Sequence, residues 1–330
     1  MMKAGVVILN YNTKDYLRQF LPGLLASCEG LDAGVYVADN ASEDGSQEYL
    51  QSHFPQVPVI QLEKNFGFTG GYNRALKMIE ADYYLLINSD IEVPEDWLRP
   101  LLEWMDTHPQ CGACGPKFLS YHQRDTFEYA GAAGGLVDRY GYPFCRGRIL
   151  QKIEKDHGQY DEPADVLWVS GACLLVRASV WKALGGLDER FFAHMEEIDL
   201  CWKMQLRGWK VTVVPQSKVY HIGGGTLPNE SPFKLRLNFR NNLLLLENNL
   251  PSTPHSRFRT RLRILTRMCL DGLSALVYLF KGKGSFFRAV VQAHREYRRL
   301  RTPGEMLEKA RRPEGLYRGW IVPIGLFGKK

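Results

Sequence analysis

The chain has 330 residues, of which 45% are apolar and 12% aromatic, enough for one large α/β domain with an appendage and too apolar for a largely disordered chain. Its net charge of +6 hides an asymmetry, because residues 1–232 hold 21 Lys and Arg against 30 Asp and Glu, whereas residues 233–330 hold 21 against 6. The seven cysteines are scattered and odd in number, which argues against a disulfide framework and favours a reducing compartment.

The first 90 residues alternate short apolar runs with helical patterns. Strands are predicted at residues 6–9, 35–38, 57–62 and 83–87, and helices at 15–26, 46–54 and 72–80. The apolar run at the N-terminus is too short for a signal peptide or a membrane span. This βαβ alternation predicts a doubly wound, mostly parallel sheet flanked by helices, with ligands bound beyond the carboxyl ends of its strands.

The following part of the chain is less regular. Helices are predicted at residues 97–107 and 196–207, a buried strand at 166–176, and strands at 211–215 and 218–221, while 118–159 reads as a loop-rich stretch. A short helix is expected to begin at Ser179 and end at Gly185. We assign residues 1–232 to one α/β domain, divided near residue 110.

Residues 233–330 are predicted to form a basic helical extension, with helices at 235–249, 257–280 and 286–300. The most apolar segment, 262–280, carries Arg263, Arg267 and Asp271. Spanning a membrane would bury these charges at roughly 2–3 kcal/mol each, so we expect the helix to lie at an interface with its arginines at headgroup level. A solvated tail is the alternative, and no nucleic acid partner is expected.

Asn88, Ser89 and Asp90 follow the fourth predicted strand, so their side chains emerge at the carboxyl edge of the sheet. A carboxylate with open positions for water and phosphate is a normal site for Mg²⁺ or Mn²⁺. His221 also follows a predicted strand, and its imidazole could complete such a shell. An aspartate in a turn, or a lone histidine, is also common without any metal.

Acidic residues crowd the start of the helix predicted at 196–207. Glu196, Glu197 and Asp199 are near enough for mutual repulsion to raise the pKa of one of them. A raised carboxylate pKa suits a general base. Acids also favour the positive end of a helix dipole, which accounts for at least one of the three.

Three glycines lie between the third predicted strand and its helix, in the stretch from Asn65 to Asn73. Such loops let backbone N–H groups approach a phosphate or a sugar. The spacing matches neither the dinucleotide fingerprint nor a P-loop.

Six segments, in this order, resemble glycosyltransferase family 2, the inverting enzymes with a GT-A fold, and in particular the rhamnosyltransferase-like subgroup that builds bacterial surface polysaccharides. The segments are VVILNYNTKDYL, VADNASEDGS, NFGFTGGYNRAL, LLINSDIEV, VSGACLLVRASVWKALGGLDERFFAHMEEIDLCWKMQLRGW and VYHIGGGT. The resemblance implies a GT-A catalytic domain over 1–232, with a nucleotide-binding half of about 1–110 and an acceptor half of about 111–232. It also implies a nucleotide-diphosphate sugar as donor and a divalent cation.

The resemblance implies a role for each matched residue. The metal ligands would be Asp90, with Asn88 and Ser89 completing a DxD-like turn, and His221. Glu197, or its neighbour Glu196, would be the general base. The residues around the nucleotide would be Asn10, Tyr11, Asn12, Asp39, Asn65, Gly70, Gly71 and Asn73.

Two departures from the family pattern matter. Asn88 stands where the first acid of the DxD motif is usual, which leaves Asp90 as the only carboxylate there. Glu-Glu replaces the usual Glu-Asp, so the resemblance does not separate Glu196 from Glu197. The acceptor would be a hydroxyl of a glycan or of a polyprenyl-diphosphate-linked glycan, with the chain peripheral on the inner, cytoplasmic face of the membrane.

Two other classes of protein compete with this interpretation. A non-catalytic nucleotide-sugar or polyanion binding protein would use the basic extension as its binding surface. A sugar nucleotidyltransferase would be expected to carry a Gly-rich basic loop after the first strand, where this chain has Asn10, Tyr11 and Asn12. The sequence does not identify the sugar, the base, the acceptor or the oligomeric state.

Overall fold

The structure is a computed structural model that describes residues 2–223, 231–250, 256–305, 307, 310–317 and 319–327. The end of the VYHIGGGT segment, from residue 224, lies outside the described residues. The strands of the described part are β1 (Met2–Asn10), β2 (Ala33–Asp39), β3 (Val59–Gln61), β4 (Ala81–Ile87), β5 (Ile91–Glu92), β6 (Cys111–Ser120), β7 (Gly135–Asp138), β8 (Pro143–Cys145), β9 (Arg148–Ile149), β10 (Lys152–Ile153), β11 (Ala164–Asp165), β12 (Cys173–Arg177), β13 (Lys210–His221) and β14 (Leu316–Tyr317).

Helices flank the main sheet, and they form most of the C-terminal third of the chain. They are α1 (Lys14–Cys28), α2 (Ser46–His53), α3 (Gly67–Ala75), α4 (Leu98–Thr107), α5 (Ala178–Leu184), α6 (Glu196–Leu206), α7 (Pro232–Asn249), α8 (Ser256–Phe280), α9 (Gly284–Leu300) and α10 (Ile321–Phe327), with a 3₁₀ turn at Leu76–Met78. Gly185 ends α5 in the left-handed conformation, at φ 76°.

The main sheet has the order β11-β13-β6-β12-β4-β1-β2-β3, and β5 pairs with β13. Its β3-β2-β1-β4 half is parallel, as the alternation predicted. The other half is mixed, because β12 lies antiparallel between β4 and β6. The α/β architecture is therefore confirmed, and the sheet is parallel in the half that follows strict βαβ alternation.

The stretch at 118–159 is more ordered than predicted. Its short strands form a second sheet, in the order β10-β9-β8-β7-β14, whose last strand comes from the C-terminal part of the chain. Strands of two to four residues carry too little periodicity to be read from a sequence. The strands predicted at 211–215 and 218–221 are one strand, β13, whose pairing with β6 is interrupted between Val213 and Lys218.

The glycine segment is helical rather than a loop, so this prediction was wrong. Helix α3 begins at Gly67, and a side chain at Gly71 would come within 2.7 Å of Leu9. Its glycines therefore let α3 pack closely on β1. A sequence pattern cannot separate this use of glycine from a phosphate-binding loop, because both need backbone close to a neighbour.

The three helices predicted in the extension are confirmed, and α7 is part of the core. Leu243, Leu244, Leu245 and Leu246 are each at most 1% exposed, so the helix is buried on every side at this point. Of the arginines expected at headgroup level, Arg267 points inward instead. It donates to Asp271 at 2.7 Å, and both side chains are buried. The i, i+4 spacing of opposite charges explains this pairing.

Candidate active site

The turn after β4 holds Asp90 beside His221. Strand β5 follows the turn and pairs with the end of β13, where Ile91 lies opposite His221. This pairing brings His221 Nε2 within 3.3 Å of Asp90 Oδ1, with both side chains almost fully buried. The structure therefore brings together the two residues predicted to bind a metal.

Glu128 is a third member of this cluster that the sequence did not indicate. Its Oε1 lies 3.4 Å from His221 Nδ1, and it is buried. It is held there because its backbone N–H donates to Phe118 at the end of β6. No local sequence pattern indicates Glu128, because it lies in the stretch 118–159 that was predicted to be rich in loops.

The two carboxylates control the charge of His221. Burial acts to lower its pKa, but the hydrogen bonds and charges of Asp90 and Glu128 outweigh burial and raise the pKa to about 10. Burial likewise acts to raise the pKa of Asp90, and His221 outweighs it, so that pKa lies below its usual value. The pair thus holds a proton at a place where a cation could bind.

Asp90 and His221 fit a divalent cation. A carboxylate oxygen and an imidazole nitrogen are ligands that Mn²⁺ accepts. Two neighbouring ligands at about 2.1 Å from one ion lie about 3 Å apart, close to the separation of Nε2 and Oδ1. Within the described ranges, no group of three or more His, Cys, Asp or Glu side chains is arranged to hold a metal. Other ligands would have to come from a bound substrate or water.

The acids at the start of α6 have different surroundings. Asp199 accepts from Asn248 and Asn249 of α7 and pairs with Lys203, so it is structural. Glu196 and Glu197 each have a buried Oε2 with no hydrogen-bond partner among the described residues. Buried carboxylate atoms without partners indicate a place where a ligand or a proton is expected.

Burial raises the pKa of both glutamates. The pKa of Glu197 rises to about 7. That of Glu196 rises well above its usual value, from burial and then from the charge of Glu197. Glu197 is the more exposed of the two, and it lies against Gly171. Since Ala172 accepts a hydrogen bond from the backbone of Asn88 at 2.9 Å, the segment beside Glu197 is tied to the Asp90 turn.

The turn that presents these glutamates has an unusual backbone. Phe192, His194 and Met195 all have positive φ, between 63° and 72°, although none is glycine. Asn241 of α7 is fully buried, and its Nδ2 lies within hydrogen-bond distance of the carbonyls of Phe191, Ala193 and His194, at 2.7–3.0 Å. Strain of this kind persists where the surrounding structure holds it and is common at functional sites.

A second group of predicted residues forms a cradle at the carboxyl ends of β1 and β2. Asp39 is fully buried and accepts from Asn10 at 2.7 Å, and also from Ser42, Gln47 and Gln61. Asn12 accepts from the backbone of Glu43, while Tyr11 is half-buried beside it. Asp39 therefore organises the loops, and one of its donors would have to yield for it to contact a base.

The asparagines near α3 serve the fold directly. Asn65 accepts from the backbone of Gly67 and from Asn40, a buried residue that the sequence did not single out. Asn73 exchanges two hydrogen bonds with the backbone of Leu187. A side chain at Gly70 would come within 2.8 Å of Phe66. Asn73 thus ties α3 to the segment before α6 instead of facing the cradle with a free amide.

Comparisons with known proteins identify the family and the fold of the chain. The family model "Glycosyl transferase family 2" matches residues 5–182, which include Asp39 and Asp90 but end before Glu197 and His221. The N-acetylglucosaminyl-diphospho-decaprenol L-rhamnosyltransferase of Mycobacterium tuberculosis is 28% identical over 234 residues, covering 66% of this chain and 75% of that protein.

Two solved structures share the fold at a TM-score of 0.55. The mannosyltransferase PcManGT from Pyrobaculum calidifontis, in complex with GDP-Man and Mn²⁺, is 11% identical and matches 89% of this chain and 86% of its own. GalNAc-T7, with UDP, GalNAc and Mn²⁺, is 16% identical and matches 78% of this chain. The present chain spans about half of GalNAc-T7, 51% of its length.

Proposed function

The chain belongs to glycosyl transferase family 2 and is a glycosyltransferase, and we propose that it moves a sugar from a nucleotide-diphosphate donor to a hydroxyl of a lipid-linked glycan, with inversion at the anomeric carbon. The observation that carries this proposal is the hydrogen bond from the backbone of Asn88 to Ala172, which ties the turn of the Asp90–His221 pair to the segment beside Glu197, a residue with a pKa of about 7. The Asp90–His221 pair would lie at the departing diphosphate, and Glu197 would lie at the attacking hydroxyl.

The donor would lie over the cradle at the ends of β1 and β2, with its diphosphate toward Asp90. A divalent cation bound by Asp90 and His221 would neutralise charge on the diphosphate. The two solved structures that contain Mn²⁺ and a nucleotide or nucleotide sugar support this placement by their shared fold. Asn88 would support Asp90, since its side chain is among the groups that lower the pKa of Asp90.

Glu197 would accept the proton of the acceptor hydroxyl as that oxygen attacks the anomeric carbon. A pKa near 7 lets a carboxylate be both ionised and basic enough at neutral pH. A single displacement from the face opposite the leaving group inverts the stereocentre, so one base is sufficient. Glu196 lies more deeply beside it, and burial and then the charge of Glu197 raise the pKa of Glu196.

The acceptor and location also belong to this proposal. The relative from M. tuberculosis is named for an acceptor on a diphospho-decaprenol, which supports a lipid-linked glycan here. Helix α8 presents an apolar stripe of exposed residues: Phe258, Leu262, Leu265, Leu273, Leu276 and Phe280. The spacing of three, four and eight residues places them on one face, opposite the buried Arg267 and Asp271.

Exposed Arg259 and Arg261 flank the apolar stripe on its two sides. An amphipathic helix of this kind lies in the plane of a membrane interface, and each basic residue near an anionic surface contributes about 1 kcal/mol. No described helix combines the length and apolar character needed to cross a membrane. We therefore propose peripheral binding to an anionic membrane through α8.

The test is a transfer assay with polyprenyl-diphosphate-linked N-acetylglucosamine and a panel of nucleotide-diphosphate sugars that begins with nucleotide-linked L-rhamnose. Release of nucleoside diphosphate that requires the acceptor, with a product of inverted anomeric configuration, would support the proposal. Binding of a donor without release, for every acceptor tried, would favour a binding protein. Formation of a nucleotide sugar from a sugar phosphate would favour a nucleotidyltransferase.

A further inference from the structure

A cavity of about 390 Å³ lies on the side of the molecule formed by the C-terminal helices. Trp202 of α6 and Leu246 of α7 line part of it, and Leu316 and Tyr317 of β14 line another part. Its volume falls in the range of about 300–1,000 Å³ that is usual for small-molecule sites. None of these residues belongs to the candidate active site.

Three arginines from separate parts of the chain line the same cavity. Arg139 follows β7, Arg263 lies on α8, and Arg312 precedes β14. Among the described residues, none of the three forms a salt bridge with a carboxylate, in contrast to Arg267, which is on the same helix as Arg263 and pairs with Asp271. Burial and then the charge of Arg139 lower the pKa of Arg263, which shows that the cations repel one another.

Asp138 also lines the cavity, but its carboxylate is already used. It accepts hydrogen bonds from the backbone N–H groups of Tyr140, Tyr142 and Ile321, at 2.8, 2.9 and 3.0 Å. Its carboxylate is therefore occupied by backbone N–H groups, and in the part of the chain that the structure describes no carboxylate pairs with the three guanidinium groups. Guanidinium groups bind phosphate with paired, charge-assisted hydrogen bonds.

Arg263 is on the helix that carries the apolar stripe, but on another side of it. At 3.6 residues per turn, its side chain lies about 100° around the axis from Leu262 and about 160° from Leu265, and only about 40° from the buried Arg267. The cavity therefore lies on the packed side of α8, and a phosphate bound there could belong to a lipid headgroup or to a soluble compound.

We propose that Arg139, Arg263 and Arg312 form a binding site for a phosphate group, carried by a lipid headgroup or by a soluble compound. The site goes beyond the proposed function and stands without it, because the three arginines take no part in the transfer reaction. A lipid headgroup bound there would fix the orientation of α8 at the membrane surface, which a diffuse basic charge would not do.

The first arm of the test measures binding of inorganic diphosphate by calorimetry, with EDTA present to suppress metal-dependent binding elsewhere. We expect Arg263→Gln and Arg312→Gln each to weaken binding about tenfold or more. Arg259→Gln, an exposed arginine of α8 outside the cavity, is the matched control and should bind as the wild type does. Arg312 is itself exposed, so its variant should fold even if Arg263→Gln does not.

The second arm measures binding to vesicles of phosphatidylcholine with and without phosphatidylglycerol. If the phosphate belongs to a lipid headgroup, Arg263→Gln and Arg312→Gln should reduce binding to the anionic vesicles several-fold more than Arg259→Gln does. Equal losses for the three variants, together with a diphosphate effect in the first arm, would assign the site to a soluble phosphate compound. Equal diphosphate binding by wild type and all variants would overturn the site itself.

Discussion

Nε2 of His221 lies 3.3 Å from Oδ1 of Asp90, although the two residues are 131 positions apart in the sequence. The contact depends on strand pairing, since the two residues of β5 bind the end of β13 directly after the Asp90 turn. Only the register between these strands decides whether the turn aspartate meets the histidine. The two residues thus form a pair because of the fold, and each is unremarkable alone.

The roles of the two adjacent glutamates can be separated by amide substitution. Glu197→Gln should lower kcat by about 10²–10⁴, the usual contribution of a general base, without weakening donor binding. Glu196→Gln should have a smaller effect, because its carboxylate is more deeply buried. Steady-state kinetics with donor affinity measured separately would test this. A larger loss for Glu196→Gln would assign the base to Glu196.

The rate of transfer should depend on pH through the same carboxylate. The pKa of Glu197 is raised to about 7, so the group is protonated and inactive as a base below that value. We expect kcat/KM to increase as the pH rises through about 7 and to reach a plateau above it. The residual activity of Glu197→Gln should lack this step. A wild-type profile that is flat from pH 5 to 9 would contradict the assignment.

The hydrogen bonds between Asn241 of α7 and the strained turn before α6 should affect catalysis, although Asn241 does not contact the reacting groups. Asn241→Ala leaves the carbonyls of Ala193 and His194 without their side-chain donor, at a cost of about 1–3 kcal/mol in the free energy of unfolding. Asn238→Ala, on a half-buried residue of the same helix, is the control.

A purely structural role for Asn241 would change only the stability. A positioning role should also lower kcat and shift the pH midpoint downward from about 7, because a looser turn admits water to Glu197. Thermal unfolding and the pH profile of the variant measure the two effects separately. An unchanged midpoint and kcat would restrict Asn241 to stability.

Membrane binding through α8 can be tested by making its apolar stripe polar. Leu262→Ser combined with Leu273→Ser should reduce binding to anionic vesicles at low salt, because both side chains are more than half exposed and contribute apolar area. Activity on a water-soluble acceptor should be unchanged. Vesicle binding equal to that of the wild type would show that α8 is not the membrane surface.

Much of the fold could be predicted from the sequence where one periodicity dominates. Strand β4 and helix α9 were found near their observed bounds because each has a continuous apolar pattern. The second sheet was missed because its strands are too short to carry a pattern. The start of α3 was missed because glycine, a poor helix former, is used there for close packing on β1.

The candidate site was predicted in part for a similar reason. Asp90 and Glu197 lie beside the ends of regular elements, where local sequence gives a signal. Glu128 and Asn241 reach the site from 118–159 and from the C-terminal helices, so only tertiary contacts reveal them. The inward direction of Arg267 was missed because the pairing with Asp271 competes with solvation of the arginine.

The most direct test of the central claim is the thermal stabilisation of the protein by nucleotide-diphosphate sugars, with and without Mn²⁺, in the wild type and in Asp90→Asn. Asp82→Asn, at the exposed second residue of β4, serves as the control. We predict that one donor stabilises the wild type and the control only when Mn²⁺ is present, and that Asp90→Asn loses this stabilisation together with transfer activity. Equal stabilisation of all three proteins without metal, or full activity of Asp90→Asn, would contradict the account.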